Sequence, residues 1–301
     1  MTSLNIWFQG ARPKTLGAAI APVLVGSSIA FYEKSFNLTI SLLALLVSVS
    51  IQIAVNYAND YSDGIKGTDD QRVGPVRLVG QKLASPKSVK TAAILFFLIA
   101  ALAGLIITIL SQQWWFLLLG LSAIVAAWTY TGGPKPYGYA GLGEVFVFIY
   151  FGLVAVIGTT YAQTLFFKPY FLLYAISIGL FASAILVANN LRDREKDKQN
   201  NKNTLAVKLG DQKTKNLYVL LMLLPFILIV SLFIYNQINS GTRIGATIQI
   251  QLLALVLAWK SIKPVINKVS GKDLIPVLVN TGKTELLWAL LVSLALILET
   301  N

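Results

Sequence analysis

The chain has 301 residues, of which 55% are hydrophobic and only 13% charged, and its mean hydropathy is +0.67. This is more apolar matter than a soluble core of that length needs, so the composition predicts a membrane protein with several spans. The sequence contains no Cys and no His, which excludes disulfides, thiolate catalysis, Cys-based zinc or iron–sulfur sites and an imidazole base or metal ligand.

Nine apolar runs have the length of a membrane-spanning helix, which needs roughly 20 residues. We therefore predict an all-α, polytopic membrane protein that forms a single domain over residues 1–301. A cleaved signal peptide is the alternative for the first run, but Pro22 and the lack of a convincing cleavage site disfavour it. The runs are 15–32, 38–58, 89–110, 113–131, 144–164, 169–191, 214–236, 243–262 and 282–298.

The 25 basic residues alternate between loops along the chain. All but Lys34, Lys168 and Arg243 fall on one side of the membrane in this arrangement. That is the positive-inside pattern, and it predicts that the N-terminus and both acidic motifs lie on the cytoplasmic side of the membrane. We place every acidic residue except Glu33 and Glu299 on the same side. The net charge of +12 therefore indicates membrane topology rather than a nucleic-acid partner.

The second apolar run ends in a group of carboxylates. Asn56, Asp60 and Asp63 are spaced i, i+4 and i+7, which puts them within about 60° of one another on a helix. We expect one face to carry all three. For the amides of Gln52 and Asn56, hydrogen bonding between helices is the alternative role.

Two loops follow that mix cations with turn residues. Arg72 and Arg77 offer fork-shaped donors for phosphate oxygens, although a solvated loop or an anionic-lipid patch would also use them. The Gly-, Pro- and Tyr-rich loop from Tyr130 to Glu144 follows no strand, so a dinucleotide or P-loop reading fails. We expect a tight turn there, with Lys135 and the tyrosines at the mouth of a pocket.

The sixth run ends in a second acidic motif. Asn189, Asp193 and Asp197 follow one another at i+4 steps, so two acidic faces can converge on one ligand. Carboxylate, amide oxygen and water are the donors left in a chain without Cys or His. That set suits Mg²⁺ or Mn²⁺.

At these residues the chain resembles the UbiA superfamily of intramembrane aromatic prenyltransferases, and among them the 1,4-dihydroxy-2-naphthoate polyprenyltransferases of menaquinone synthesis. The superfamily motif N-D-x-x-D-x-x-x-D is matched by Asn59, Asp60 and Asp63, with Gly67 in the place of the third Asp and Asp69 two residues later as its substitute. The other matching segments are 11–15, 72–78, 141–144 and 189–193 with Asp197.

The resemblance implies a barrel-like bundle of nine helices around a central cavity, capped on the cytoplasmic side by the two motif loops. It also implies that a polyprenyl diphosphate alkylates 1,4-dihydroxy-2-naphthoate, which loses CO₂, giving demethylmenaquinol and diphosphate. The apolar lumen would hold the isoprenoid tail. The implied roles are metal binding for Asp60, Asp63, Asp69, Asp193 and Asp197; completion of the shell for Asn56 and Asn189 or Asn190; substrate binding for Asn59; binding of diphosphate or of the acceptor carboxylate for Arg72, Arg77, Lys135 and Arg192; and shielding of the allylic cation for Tyr130 or Tyr137.

Two alternatives remain open at this point. A secondary transporter would also have many spans, but transporters place ionisable residues near the bilayer midplane, whereas we expect the carboxylates here at one membrane face. Within the enzyme class, 4-hydroxybenzoate, homogentisate or a chlorophyll-type molecule is the alternative acceptor. The sequence leaves the donor chain length open.

Overall fold

The structure is a computed structural model that describes residues 3–67, 76–239 and 247–300, and these ranges are helical without strands. A π-helical segment, Phe148–Ile157, joins the sixth and seventh helices without a break. The α-helices of the described ranges are α1 (Leu4–Gly10), α2 (Leu16–Tyr32), α3 (Leu38–Ile65), α4 (Pro86–Ser111), α5 (Phe116–Thr129), α6 (Gly143–Val147), α7 (Gly158–Thr164), α8 (Tyr170–Gln199), α9 (Leu205–Asn239), α10 (Leu255–Ile266) and α11 (Leu274–Thr300).

Eight stretches in the described ranges are long and apolar enough to cross a bilayer. The remaining apolar helix, α5, has 14 residues. At about 1.5 Å per residue it is roughly 21 Å long, shorter than a hydrocarbon core of about 30 Å. The all-helical membrane fold is thus confirmed, and the count of nine spans stays a prediction.

Helices α3 and α8 both continue past the apolar runs that predicted them. Asn37 caps the N-terminus of α3: its side chain accepts a hydrogen bond from the Ile40 amide at 3.0 Å. The helix begins at Leu38 and ends only at Ile65. Helix α8 runs to Gln199. Both acidic motifs therefore lie on the last turns of helices, in agreement with their helical spacing. Residues 68–75, in the loop after the first motif, lie outside the described residues, so a cytoplasmic cap formed by the two motif loops stays a prediction.

A close helix crossing fixes the position of α8. A Cβ on Gly152, in the π-helical segment, would lie 2.5 Å from the Cα of Gly179 on α8. Only glycine at this position lets the two backbones approach so closely. This contact holds α8 against the span that follows the Gly-, Pro- and Tyr-rich loop.

The largest buried apolar cluster lies between α2, α8, α9, α10 and α11 and includes Phe181 and Trp288, whose rings are 5.7 Å apart. A second cluster joins α3 to α4 around Tyr57 and Phe97. Glu285 is 0% exposed near the middle of α11, and its assignment to the cytoplasmic side stays a prediction.

Candidate active site

One cavity of about 1,050 Å³ extends between the helices. Its polar lining comes from the C-terminal turns of α3 and α8, from the loops beside them and from the N-terminal segment, which contributes Arg12 and Lys14. Its apolar lining comes from earlier turns of the same helices, such as Val47 and Ile185, and from α4, α5 and the π-helical segment. The cavity therefore has a charged part continuous with an apolar part, a shape that fits an amphipathic ligand with an ionic head.

The first motif presents a four-residue stripe to the cavity. Gln52, Asn56, Asn59 and Asp63 all line it, and Asp60 does not. At about 100° per residue, these four positions span roughly 60°, and Asp60 lies about 40° beyond the edge of the stripe at Asn56. The expectation that Asp60 shares a ligand face with Asn56 and Asp63 is therefore not met in this structure.

Asp60 instead holds the loop that follows α3. Its side chain is 0% exposed, and its two oxygens accept hydrogen bonds from the backbone amides of Leu78, at 2.7 Å, and Val79, at 3.1 Å. Arg77, the residue before this pair, is buried and lines the cavity. Asp60 thus positions the segment that carries a cation to the site.

Asp63 is the cavity carboxylate of the first motif and is 2% exposed. One of its oxygens accepts a hydrogen bond from the Tyr139 hydroxyl at 2.6 Å, and the other lies 3.1 Å from the Lys202 ammonium. The Lys66 and Lys202 ammonium groups lie 4.9 and 4.6 Å from the centroid of the Tyr139 ring. Cation–π attraction therefore adds to the ion pair.

The Lys66 ammonium also donates a hydrogen bond to the carbonyl oxygen of Thr131 at 2.8 Å, and the Thr131 hydroxyl donates to Asn59 at 2.7 Å. Burial lowers the pKa of Lys66; Asp63 opposes this shift and the like charge of Lys202 adds to it. These contacts join the end of α3 to the Gly-, Pro- and Tyr-rich loop.

The second motif brings Asn189, Asn190, Arg192 and Asp197 to the same cavity. Arg192 forms a two-pronged pair with Asp193, at 2.8 and 2.7 Å, and donates to the side-chain amide oxygen of Asn189 at 2.8 Å. Asp193 is buried and is not part of the cavity lining. It orients Arg192, while Asp197 is the carboxylate of this motif that reaches the cavity.

Glu144 supports the second motif from the start of α6. Its carboxylate accepts a hydrogen bond from the Asn190 side-chain amide at 3.0 Å, and both residues are buried. Because Asn190 lines the cavity and Glu144 does not, the carboxylate orients the amide rather than meeting a ligand.

Tyr130 and Tyr137 both line the cavity beside Phe146. The Tyr137 ring stacks on Phe146 with centroids 4.0 Å apart, and Tyr130 meets Tyr137 edge-on at 5.6 Å. The Tyr137 hydroxyl donates to the carbonyl oxygen of Ala126 at 2.8 Å. Burial, followed by the neighbouring Tyr150, raises the pKa of Tyr137, so its hydroxyl remains a donor.

The structure does not bring every predicted site residue to the cavity. Lys135 is exposed at the turn of its loop and is not part of the lining. Asp69 and Arg72 lie outside the described residues, so their roles stay predictions. In the part of the chain that is described, no three carboxylates gather into a metal cluster.

The sequence reasoning missed Tyr139 and Lys202, which complete the surroundings of Asp63. Tyr139 belongs to a loop whose tyrosines we placed at a pocket mouth, so composition pointed to the loop but not to this ring. Lys202 is one of eight cations between residues 192 and 215. Nothing in its local pattern distinguishes it from the solvated lysines beside it.

The donors at the polar part of the cavity fit a hard divalent cation. Asp63 and Asp197 supply one carboxylate from each motif, and Asn59 and Asn189 supply amide oxygens. Mg²⁺ is commonly bound through one or two carboxylates while phosphate and water oxygens complete its octahedron. Two cavity carboxylates are therefore enough when the ligand itself brings phosphate.

Comparison with known proteins adds to this geometry. Residues 19–268 match the model of the UbiA prenyltransferase family. An enzyme from Mycobacterium leprae (strain TN), 1,4-dihydroxy-2-naphthoate octaprenyltransferase, is 47% identical over 99% of this chain and 98% of its own. The protein of the same name from Mycobacterium tuberculosis (strain ATCC 25618 / H37Rv) is 47% identical over 98% of each chain.

Among solved structures, a UbiA homolog from Archaeoglobus fulgidus bound to GPP and Mg²⁺ has a similar fold. It superposes with a TM-score of 0.70 at 16% sequence identity, over 97% of this chain and 99% of that chain. At this identity the likeness concerns the arrangement of helices.

Proposed function

We propose, from the premise that the chain belongs to the UbiA prenyltransferase family, that it transfers a polyprenyl group from polyprenyl diphosphate to 1,4-dihydroxy-2-naphthoate. The donor's carbon–oxygen bond breaks, a carbon–carbon bond to the ring forms, and the carboxyl group leaves as CO₂. The products are demethylmenaquinol, diphosphate and CO₂, which makes this a step of menaquinone biosynthesis.

One observation carries the choice of acceptor: identity of 47% over nearly the whole chain to two proteins with this named activity. The cavity supports the reaction class independently. Its polar part suits a diphosphate and its apolar part suits an isoprenoid, and the two are continuous.

Asp63 and Asp197, with the amide oxygens of Asn59 and Asn189, would hold Mg²⁺, or Mn²⁺ in its place. The ion supplies Lewis-acid neutralisation of the charge that grows on the departing diphosphate. This agrees with the Mg²⁺ in the archaeal structure of the same fold. Carboxylates from both motifs are needed because each contributes only one group to the cavity.

The chain's own cations bind the anionic parts of the two substrates. Arg77 and Arg192 line the polar part of the cavity. Asp193 pairs directly with the Arg192 guanidinium, whereas Asp60 anchors the backbone of the residues that follow Arg77. The Arg192 guanidinium, held in this way, loses little entropy on pairing with phosphate or carboxylate oxygens.

Aromatic rings lie beside the polar part of the cavity, where the donor's first isoprene unit would lie. Tyr130, Tyr137 and Phe146 offer ring faces and edges there. Ring faces stabilise a nearby cation by roughly 0.5–2 kcal/mol each. They also keep water away from an allylic cation, which would otherwise be trapped as an alcohol.

We place the polar part of the cavity at the cytoplasmic face of a bacterial plasma membrane, with the N-terminus on the same side. The distribution of lysine and arginine supports this, since the predicted arrangement of spans puts all but three of the 25 on the side of the two motifs. A soluble naphthoate then reaches the site from the cytoplasm, while the prenyl donor arrives from the bilayer.

The test is a substrate panel in membranes that contain the chain and no endogenous transferase. Octaprenyl diphosphate is combined with 1,4-dihydroxy-2-naphthoate, 4-hydroxybenzoate or homogentisate, with and without a divalent-metal chelator, and lipid products are identified by mass spectrometry. We expect a prenylated naphthoquinol only with the naphthoate and only with metal present.

Asp63→Asn should remove this product, whereas Asp273→Asn, the same change at an exposed loop residue, should not. Product from 4-hydroxybenzoate or homogentisate in place of the naphthoate would refute the acceptor assignment. Solute flux through protein-containing liposomes without any prenyl transfer would favour the transporter alternative.

A further inference from the structure

Lys202 occupies an unusual position for a lysine in a basic loop. It is only 6% exposed, it lines the cavity, and its ammonium lies 3.1 Å from a carboxylate oxygen of Asp63. Its backbone amide donates to the carbonyl oxygen of Asp197 at 2.8 Å. Lys202 therefore touches the cavity residue of each acidic motif, one through its side chain and the other through its backbone.

Both oxygens of Asp63 are engaged in this arrangement. The second oxygen accepts the Tyr139 hydroxyl at 2.6 Å, and the Lys202 ammonium also lies 4.6 Å from the centre of the Tyr139 ring. A divalent cation that binds Asp63 must therefore compete with a cation that the chain itself supplies. The competitor is tethered, so dilution does not remove it.

Displacing the ammonium has a cost that depends on what else is bound. A buried charge that loses its partner is strongly unfavourable, so metal binding alone would leave Lys202 buried without its anion. A diphosphate brings anionic oxygens into the same part of the cavity and offers the ammonium a new partner. Binding of the metal to Asp63 releases Lys202 for the diphosphate, and binding of the diphosphate to Lys202 releases Asp63 for the metal.

We propose that Lys202 neutralises Asp63 in the absence of donor and transfers its ion pair to the donor's diphosphate, so that metal and prenyl diphosphate bind cooperatively. This inference rests on the proposed function for the identity of the donor. Lys202 then delays metal binding at Asp63 until the donor is present, and it contacts the diphosphate once the donor is bound. The linkage is reciprocal, so metal raises donor affinity by the same factor.

The experiment measures metal binding without any reaction. The full chain in lipid nanodiscs is titrated with Mn²⁺ alone, and free Mn²⁺ is followed by electron paramagnetic resonance. Lys202→Gln keeps a hydrogen-bond donor for Asp63 but removes the charge. We expect it to bind Mn²⁺ more tightly than wild type by roughly 5- to 150-fold, the usual range of a coupling between sites.

Two matched variants separate this effect from a general loss of positive charge. Lys198→Gln makes the same change at an exposed lysine of the same segment and should leave Mn²⁺ affinity unchanged. Lys202→Arg retains the charge and should keep the weak affinity of wild type. Equal or weaker Mn²⁺ binding by Lys202→Gln would overturn the proposal.

A second measurement uses wild-type protein and so does not depend on a variant's folding. A prenyl thiodiphosphate, which keeps both phosphates but reacts slowly, should tighten Mn²⁺ binding to wild type and have much less effect on Lys202→Gln. No tightening in wild type would also overturn the proposal. Loss of prenyl transfer to the naphthoate with this coupling intact would refute the proposed acceptor and leave the role of Lys202 standing.

Discussion

Asp60 provides a sharp test of how the first motif is divided between structure and chemistry. We expect Asp60→Asn to loosen the segment that carries Arg77 without removing the metal site. The reason is that the two Asp60 oxygens accept hydrogen bonds from the backbone amides of Leu78 and Val79, and Asp60 does not line the cavity.

The magnitude follows from those two bonds. An asparagine side chain retains one acceptor oxygen, while its NH₂ group would face the other backbone N–H. Hydrogen bonds to a charged group contribute roughly 1.5–3 kcal/mol, so losing one and weakening the other should lower the local stability by about 2–3 kcal/mol. This corresponds to roughly a 30- to 150-fold rise in the population of the opened segment.

Hydrogen–deuterium exchange of the peptide over residues 76–84 measures this opening in nanodiscs. We expect faster exchange there in Asp60→Asn, with Mn²⁺ affinity close to that of wild type. Asp63→Asn should weaken Mn²⁺ binding and leave the exchange of this peptide close to that of wild type, because it removes a cavity carboxylate. Loss of Mn²⁺ binding in Asp60→Asn with unchanged exchange would refute this division of roles.

Three further predictions concern the cavity and the contacts beside it. Tyr139→Phe should lower the free energy of unfolding by about 1.5 kcal/mol, because the hydrogen bond to Asp63 is lost. Tyr139→Leu should lower it by more, because the cation–π contacts are lost as well. Equal melting temperatures of the two variants would contradict this. Gly120 lines the apolar part, where a Cβ meets nothing within 4 Å, so Gly120→Leu should lower kcat/KM for octaprenyl relative to geranyl diphosphate by about tenfold. Ser122→Leu, at an exposed residue of the same helix that does not line the cavity, should leave that ratio unchanged. An equal kcat/KM ratio in the two variants would refute the assignment of this cavity wall to the isoprenoid tail. Burial lowers the pKa of Lys66, so the folded state binds fewer protons at this residue than the unfolded state does. Lys66 therefore reduces the free energy of unfolding increasingly as the pH falls through the ordinary lysine pKa of about 10.4. The melting temperature of Lys66→Met minus that of wild type should therefore rise as pH is lowered from about 11 to about 8, and a difference that falls would show the opposite shift.

The helical membrane fold and the meeting of the two motifs were predictable because they follow from strong local signals. Apolar runs of helical length define the spans, and charge alternation places the ends of α3 and α8 on one side. Asp63 and Asp197 do line one cavity. Helical spacing was enough to predict that each motif presents a polar face.

Spacing alone could not decide which carboxylates reach the cavity. Asp60 and Asp63 differ by only about 60° around α3, and the outcome depends on where the loop amides of Leu78 and Val79 lie. Similarly, Asp193 forms a salt bridge with its neighbour Arg192. Those partners are set by tertiary packing that a linear motif does not encode.

The central claim is that prenyl transfer and decarboxylation occur on the same naphthoate molecule. The most direct measurement uses 1,4-dihydroxy-2-naphthoate labelled with ¹⁴C in the carboxyl group and octaprenyl diphosphate labelled with ³H, in membranes that contain the chain. We predict that ¹⁴CO₂ and ³H-labelled quinol appear in equal amounts and that both disappear in Asp63→Asn. A tritiated product that retains ¹⁴C, or ¹⁴CO₂ released without the prenyl donor, would contradict the account.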